Sequence, residues 1–446
     1  MLWAFYWGVI MNTTNSTRDI WDLAENTTHQ IDGDIRNVWL GRGNDSLSIT
    51  GHANHIDTGA GNDQITIGGN VCSVYSGTGN DQVKIGGDAW LVDLGAGNDS
   101  LDIKGNLTHL NAGVCDAGGD TVKIGGDLGC GWLGGGDDMI SVGGNVGFLS
   151  LGSGNDHADI TGNVQTLWAG AGNDKVHIGG TLSYADLGSG DNCLSVAKDA
   201  NWITGGHERD YVQVRGDLKG YACLGEGDNA LRIEGDANAF YTGGGQDRAM
   251  IYGDLGWANM GSGQNKLWVN GSVSGGVWTG IDQDNVFVNG NLKYASLCWG
   301  DDKLQVNGSI GGVSLGAGND KAWVGANEGY LCGDCGDDAV YIKQNNGHVW
   351  MGIGNDALTV KKFANGAHAD GGCGTDTLTL IGNAADYKVE KAWFGLEWKI
   401  TDIASGNKMS AWCFEDLKFT ATEPQSDINL GFVNEVTQIP CFENFV

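Results

Sequence analysis

The sequence Gly-x-Gly-Asn-Asp returns along this chain at a fixed interval: its fifth residue is Asp45, then Asp63, Asp81 and Asp99, 18 residues apart. The series continues through Asp120, Asp138, Asp156, Asp174, Asn192, Asp210, Asn229, Asp247, Asn265, Asp284, Asp302, Asp320, Asp338, Asp356 and Asp376, 19 copies in all. Of the 18 steps between copies, 14 are 18 residues long and the rest are 21, 19, 19 and 20. A period held that long predicts a solenoid, because each repeat can bury its apolar face only against the next.

Within a repeat, outward and inward residues alternate after the Asp, as in Gln82-Val83-Lys84-Ile85. The inward pair is apolar almost throughout: Ile65/Ile67, Val176/Ile178, Leu267/Val269, Leu358/Val360. Alternation over four residues is a short strand with one face buried. A second turn follows (Gly69-Asn70, Gly105-Asn106, Gly216-Asp217), then a second strand such as Leu91–Leu94. The chain is therefore expected to be all-β, a parallel β-roll or β-helix of about 19 rungs. At about 4.8 Å per rung it would be on the order of 85 Å long. Residues 1–36 lack the motif and read as an N-terminal cap, 37–380 as the repeats, and 381–446 as a β-rich C-terminal cap. In the last region Tyr387–Val389, Glu397–Ile400 and Met409–Phe414 read as strands.

Composition limits the partners. Asp and Glu total 55 against 25 Lys and Arg, a formal charge of −30. A compact chain that acidic repels itself unless cations neutralise it, and it lacks the basic footprint that nucleic acid requires. No apolar run reaches the length of a membrane span. The apolar start, Met1–Met11, has no charged leader and reads as packing rather than as a cleaved signal peptide. The lone C-x-x-C, Cys332–Cys335, has neither zinc spacing nor a βαβ context.

A turn that wraps a cation offers backbone carbonyls, and glycine allows the positive φ this needs. Calcium takes about six to eight oxygens, carboxylates and carbonyls among them. Asp holds the fifth position in 16 of 19 copies, so stacking would build a column of like charge. Good turn chemistry accounts for one Asn-Asp pair, but not for such a column unless ions lie between its members. The expected ligands are Asp45, Asp63, Asp81, Asp99, Asp120, Asp138, Asp156, Asp174, Asp302, Asp320, Asp338, Asp356 and Asp376. Gly59, Gly61, Gly77, Gly79, Gly95 and Gly97 join them, and the 19 motifs leave up to about 18 gaps for Ca2+.

The repeats resemble the calcium-binding RTX (repeats-in-toxin) β-roll, whose nonapeptide G-G-x-G-x-D-x-U-x is matched by Gly134-Gly-Gly-Asp-Asp138 and its relatives. Only alternate turns carry the motif here, which puts calcium on one edge. That one-edged form is similar to the β-roll of bacterial ice-binding adhesins, which read x-G-T-G-N-D. The resemblance covers roughly 41–380. It implies folding on calcium after type I export, with an uncleaved C-terminal signal and an extracellular or cell-surface location. Residues 386–419 are similar to the β-rich segment that closes many RTX proteins, and Glu443–Val446 resembles their acidic-then-apolar end.

The motif decays between about 188 and 285, where Asn192, Asn229 and Asn265 replace Asp, and weaker or missing ions are expected there. In Asp191-Asn192 and Asp228-Asn229 the acid has changed places with Asn and is expected still to approach the ion. Ice binding would need a ranked Thr array, but the second motif position reads Arg42, Ala60, Thr78, Ala96. An outward column, Met250, Trp268, Phe287, Gln305, Trp323, Tyr341, is mostly apolar. Trp268, Phe287, Trp323 and Tyr341 are thus candidates for contact with a glycan, a cell surface or a second copy, unless the C-terminal segment folds back over them. Trp39, Trp132, Trp168, Trp278 and Trp350 are outward on the other sheet. The largest insertion, near Gly113–Gly119, is too small to build a catalytic groove, and no H-E-x-x-H or G-x-S-x-G occurs. The expected role is non-enzymatic: a calcium-loaded structural or adhesive element, with a glycan- or partner-binding module as the alternative.

Overall fold

The computed structural model describes residues 19–113, 117–392 and 395–426. The apolar start and the proposed export signal at Glu443–Val446 lie outside the described residues. The chain divides into two compact units, Met1–Gly162 and Asn163–Val446. Each is a parallel β-solenoid.

In the first unit, strands alternate between two sheets. One sheet contains Gln64–Ile67 and Gln82–Ile85, the other Val71–Tyr75 and Ala89–Asp93. Every step of the stack is parallel and offset by one repeat, so like residue meets like: Ile65 with Val83, Ile67 with Ile85, Val74 with Val92. These six side chains are at most 1% exposed. Full burial of such a side chain is worth about 1.5–3 kcal/mol, and a one-residue slip would turn the whole set outward. The period therefore enforces its own register.

The stack begins ahead of the first motif. Asp19–Trp21 pairs in register with Ile35–Trp39, and Thr28–Ile31 with Ser46–Ile49. Residues 19–36, expected as a cap, already form a coil without a motif.

The second unit repeats the plan and shows where irregular steps are absorbed. Its two 19-residue repeats place the extra residue in bulges within Leu218–Cys223 and Val273–Trp278, on the sheet away from the Asp column. The other edge is closed by side chains: Asp199 accepts the Asp217 N–H at 3.0 Å and Asp236 that of Asp254 at 2.8 Å. Two buried amides, Asn327 and Asn345, stack inside that edge, joined at 2.9 Å.

The C-terminal region supplies one more coil before it caps the stack. Lys408–Trp412 pairs parallel with Ala367–Cys373, and Asp416–Thr420 with Thr377–Ile381. Between them an antiparallel hairpin, Tyr387–Ala392 with Glu397–Asp402, adds to Lys408–Trp412. Its outer strand exposes Lys388 and Glu390, charges that discourage further pairing at a sheet edge. The three strands expected here are present, each near its predicted limits. Ala384–Asp386 forms a single 3-10 turn, and among the described residues no helix is long and apolar enough to cross a membrane.

Candidate metal centre

The fifth-position Asp turns inward. Asp45, Asp63, Asp81, Asp302, Asp320, Asp338, Asp356 and Asp376 are all 3% exposed or less. One carboxylate oxygen of each is already committed. Oδ1 of Asp63 accepts the Asp45 N–H at 2.7 Å, and Oδ1 of Asp81 accepts that of Asp63 at 2.8 Å. In the second unit the same bond joins Asp302 to Asp320 at 2.7 Å and Asp338 to Asp356 at 2.8 Å. Thr27 donates to Asp45 at one end, and Glu415 accepts the Asp376 N–H at 2.7 Å at the other. Neither Thr27 nor Glu415 carries the motif, so the spacing did not reveal them.

The other oxygen, Oδ2, is buried without a hydrogen-bond donor in Asp45, Asp63, Asp81, Asp247, Asp284, Asp302, Asp320, Asp338, Asp356 and Asp376. Burial, the largest cause, pushes the carboxyls of Asp81, Asp247 and Asp284 up to about 7. At Asp302 and Asp338 burial and the flanking carboxylates push them up to about 8. An ionised carboxylate in that position requires a partner of opposite charge.

The three Asn copies show what Oδ2 faces. Asn192, Asn229 and Asn265 accept the neighbouring N–H through Oδ1 as Asp does, at 2.9–3.0 Å. Their second atom is then an amide nitrogen, and it donates into the turn. Asn229 Nδ2 reaches the carbonyls of Gly225, Glu226, Gly227 and Thr242 at 3.0–3.3 Å. Asn265 reaches Gly261 and Gly263, and Asn192 reaches Leu187 and Gly190. In an Asp copy an oxygen stands where this NH2 stands, so it points at carbonyl oxygens. Oxygen facing oxygen is repulsive unless a cation lies between them. The donor set, carboxylate plus carbonyls with no nitrogen or sulfur, suits a hard cation such as Ca2+. Among the described residues no three His, Cys, Asp or Glu side chains converge, so the main chain would supply most ligands.

The glycines expected as ligands line this cage. Gly61 (φ 139°), Gly79 (φ 122°) and Gly97 (φ 138°) correspond to Gly227 and Gly263, whose carbonyls receive the Asn amides. Gly59, Gly77 and Gly95 correspond to Gly225 and Gly261 and also have positive φ. A Cβ on Gly77 would lie 1.7 Å from the Gly59 carbonyl oxygen, so side chains are barred by crowding as well as by φ. Cys298 occupies this position before Asp302 at φ 69°. Left-handed backbone costs a residue with a side chain about 1 kcal/mol, and Cys298→Gly should raise the denaturation midpoint accordingly.

The decayed rungs differ from the expectation in one respect. Asp191 and Asp228 do not turn toward the cage; they accept the N–H groups of Arg209 and Gln246 in an exposed ladder built by the fourth motif position. Asp210 also leaves the pattern, because its Oδ2 accepts the Gly206 N–H at 3.1 Å.

The aromatic column on the first sheet is stacked but not open. The rings of Trp323 and Tyr341 are 4.0 Å apart, and Tyr341 is 5% exposed. The Tyr341 hydroxyl donates to Glu423, which also pairs with Lys361, and Pro424 and Gln425 border Trp323. The C-terminal segment folds back here and takes Tyr341 out of contention as a free surface, while Trp323 stays half-buried at the edge of a cavity shared with Pro424 and Gln425. Exposed aromatics lie on the other sheet, where Trp132, Trp168, Trp278 and Trp350 are 40–49% exposed. Trp202, Tyr221, Trp257 and Trp278 form a chain of ring contacts at 5.6–6.2 Å. The first three went unnoticed in the sequence because they occupy the strand position two residues before the Trp column.

Fold and edge together define a parallel β-solenoid with an acidic, carbonyl-lined ladder along one edge. No family model matches the chain, and no curated protein matches it. Among solved structures it is similar to a hyperactive, Ca2+-dependent, β-helical antifreeze protein from an Antarctic bacterium. The match is 25% identical, covers 72% of this chain and 80% of that one, and has a TM-score of 0.27. At that score the case for a cation stands on the carboxylate geometry alone.

Proposed function

We propose that this chain is a non-enzymatic, calcium-loaded repeat protein of the RTX kind, completing its fold as ions enter the Asp ladder and acting outside the cell as a structural or adhesive element. The observation that carries this reading is the row of buried Oδ2 atoms aimed at turn carbonyls. When bound, Ca2+ supplies the positive charge that allows carboxylate and carbonyl oxygens to share a cage. The chain's own part is to hold each Oδ1 on a neighbour's N–H, so that Oδ2 alone is presented. Type I-like export suits a chain that stays unfolded until it meets millimolar calcium. Fewer ions than the 18 motif gaps suggest would bind, because Asn192, Asn229 and Asn265 fill their own cages.

A calcium titration of the stripped protein at neutral pH, followed by far-UV circular dichroism and sedimentation, tests this. Cooperative gain of β signal with compaction is expected. A chain that is already compact and β-rich without calcium would sink the proposal.

The glycan- or partner-binding reading keeps one specific support, the exposed Trp202, Trp257 and Trp278, linked through the half-buried ring of Tyr221. Loss of polysaccharide retention in Trp257→Ala and Trp278→Ala variants would favour it. Ice binding has less support: the column across the motif turns reads Arg42, Ala60, Thr78, Ala96, with one threonine.

A further inference from the structure

We propose that the cavity where the last coils meet the C-terminal hairpin, bordered by His348, Trp350, His368, Glu397 and Lys399, binds a neutral sugar ring of an oligosaccharide. The site lies wholly in the second unit. It rests neither on the cation ladder nor on the Trp202, Trp257 and Trp278 rings.

Strand pairing assembles it. His348–Ile353, Ala367–Cys373 and Lys408–Trp412 are parallel neighbours, and Glu397–Asp402 joins Lys408–Trp412 antiparallel. The register sets His348 beside His368, His368 beside Ser410, and Ser410 beside Lys399. Two residues along, it sets Trp350 beside Asp370, Asp370 beside Trp412, and Trp412 beside Glu397. Residues two apart on a strand share a face. The repeats thus supply the aromatic half of the site and the hairpin its charged half. The cavity measures about 570 Å³, within the range of about 300–1,000 Å³ usual for small-molecule sites. Ala367, Ile400 and Met409, at most 2% exposed, give it an apolar wall.

Glu397 is the group that calls for a ligand. It is 5% exposed and held in place: the Ser410 hydroxyl donates to Oε1 at 2.6 Å, and the Trp412 indole N–H donates to Ser410 at 2.9 Å. Oε2 has no hydrogen-bond donor, and the Lys399 ammonium stands 3.9 Å from it, too far for a hydrogen bond. A buried oxygen left in that state gains most from a donor that a ligand brings. Lys399 is itself exposed, so its flexible stem can shift to admit one. A carboxylate only accepts and an ammonium only donates, whereas a hydroxyl does both. Two neighbouring sugar hydroxyls therefore suit Glu397 and Lys399 together.

The opposite wall is aromatic. The His348 and Trp350 rings are parallel within 6°, their centroids 5.5 Å apart, and Trp350 is 41% exposed. An aromatic face carries partial negative charge, to which the C–H face of a pyranose ring is complementary. Burial, the largest cause, lowers the pKa of His368, so at neutral pH its ring offers one donor and one acceptor nitrogen. Charge selects against ions of either sign. The buried Glu397 repels an anion, and the exposed Lys399 and Lys408 repel a cation. A neutral ring with hydroxyls on its edge and C–H groups on its face satisfies every wall.

The test is titration calorimetry of the full chain in calcium buffer with neutral trisaccharides of glucose, galactose and mannose. A dissociation constant of about 1 mM or tighter is expected for at least one of them. Trp350→Ala and Glu397→Gln should each weaken it about tenfold, with the circular dichroism spectrum unchanged. Lys399→Ala, a change at an exposed side chain, should also weaken binding and serves where Glu397→Gln does not fold. No binding of any of the three by the folded chain overturns the proposal. Binding that survives Trp350→Ala and Lys399→Ala, or that is lost in Trp257→Ala and Trp278→Ala instead, overturns this site. A calcium titration without a folding transition would leave these expectations standing, so the two proposals fail separately.

Discussion

Stripped of divalent cations, the protein should be folded at about pH 4 and should unfold as the pH rises to about 8. Asp81, Asp247 and Asp284 have carboxyls raised from 3.8 to about 7, and Asp302 and Asp338 from 3.8 to about 8. Between those values the metal-free folded chain holds protons that the unfolded chain has released. The stability they contribute is complete below the unfolded value and is lost as pH rises through the folded ones. Each tenfold difference in proton affinity is worth about 1.4 kcal/mol, so a few such groups rival the ~5–15 kcal/mol by which a domain is usually stable. With calcium bound the sign reverses. The cation holds the carboxylates ionised, so stability is present at neutral pH and falls as acid displaces the ions. Circular dichroism at fixed pH values, on protein stripped at neutral pH and on protein in about 10 mM calcium, should therefore give two curves of opposite slope. A metal-free chain whose stability does not fall between pH 5 and pH 8, on the order of the range just argued, would show that the buried oxygens are not the controlling charges.

Replacing Asp302, Asp320, Asp338 and Asp356 together by Asn should free those rungs from calcium. Asn229 already demonstrates the substitution: its Oδ1 keeps the ladder bond at 2.9 Å while its amide fills the carbonyl cage. The fourfold Asn variant is expected to bind about four ions fewer than the parent, about one per cage removed. It should also retain hydrogen-exchange protection in Lys321–Cys335 under chelation, where the parent loses it. The Ala series should behave oppositely, since it also removes the Oδ1 acceptor and strands a buried N–H at a cost of about 1–3 kcal/mol per site. Conversely Asn229→Asp should gain one ion and become more dependent on calcium. Ion counts by equilibrium dialysis, unchanged in the Asn variants, would place the cations elsewhere.

Much of this molecule was legible because its local pattern is repeated. The alternation at Ile65/Ile67 determines which face is buried, and the recurrence of that pair 18 residues later at Val83/Ile85 determines the partner and the register. Turn chemistry was legible for the same reason, since Gly61 and its counterparts need positive φ wherever they occur. The cap boundary was less so: residues 19–36 lack the glycine turn yet keep enough alternation to form a coil.

The amino-acid sequence by itself thus determined the all-β solenoid, its period and the column of aspartates, because these follow from contacts between residues one repeat apart. Only the tertiary structure decided which carboxylate oxygen is spent on a neighbour's N–H and which is left facing carbonyls. That choice depends on side-chain torsions set by the stacked rungs, to which composition and spacing are blind. It alone also decided that Asp191 and Asp228 face outward while Asn192 and Asn229 fill the cage. The same holds for the covering of Tyr341 by Glu423, 82 residues beyond it. That contact lies outside the repeat, and no periodicity could announce it.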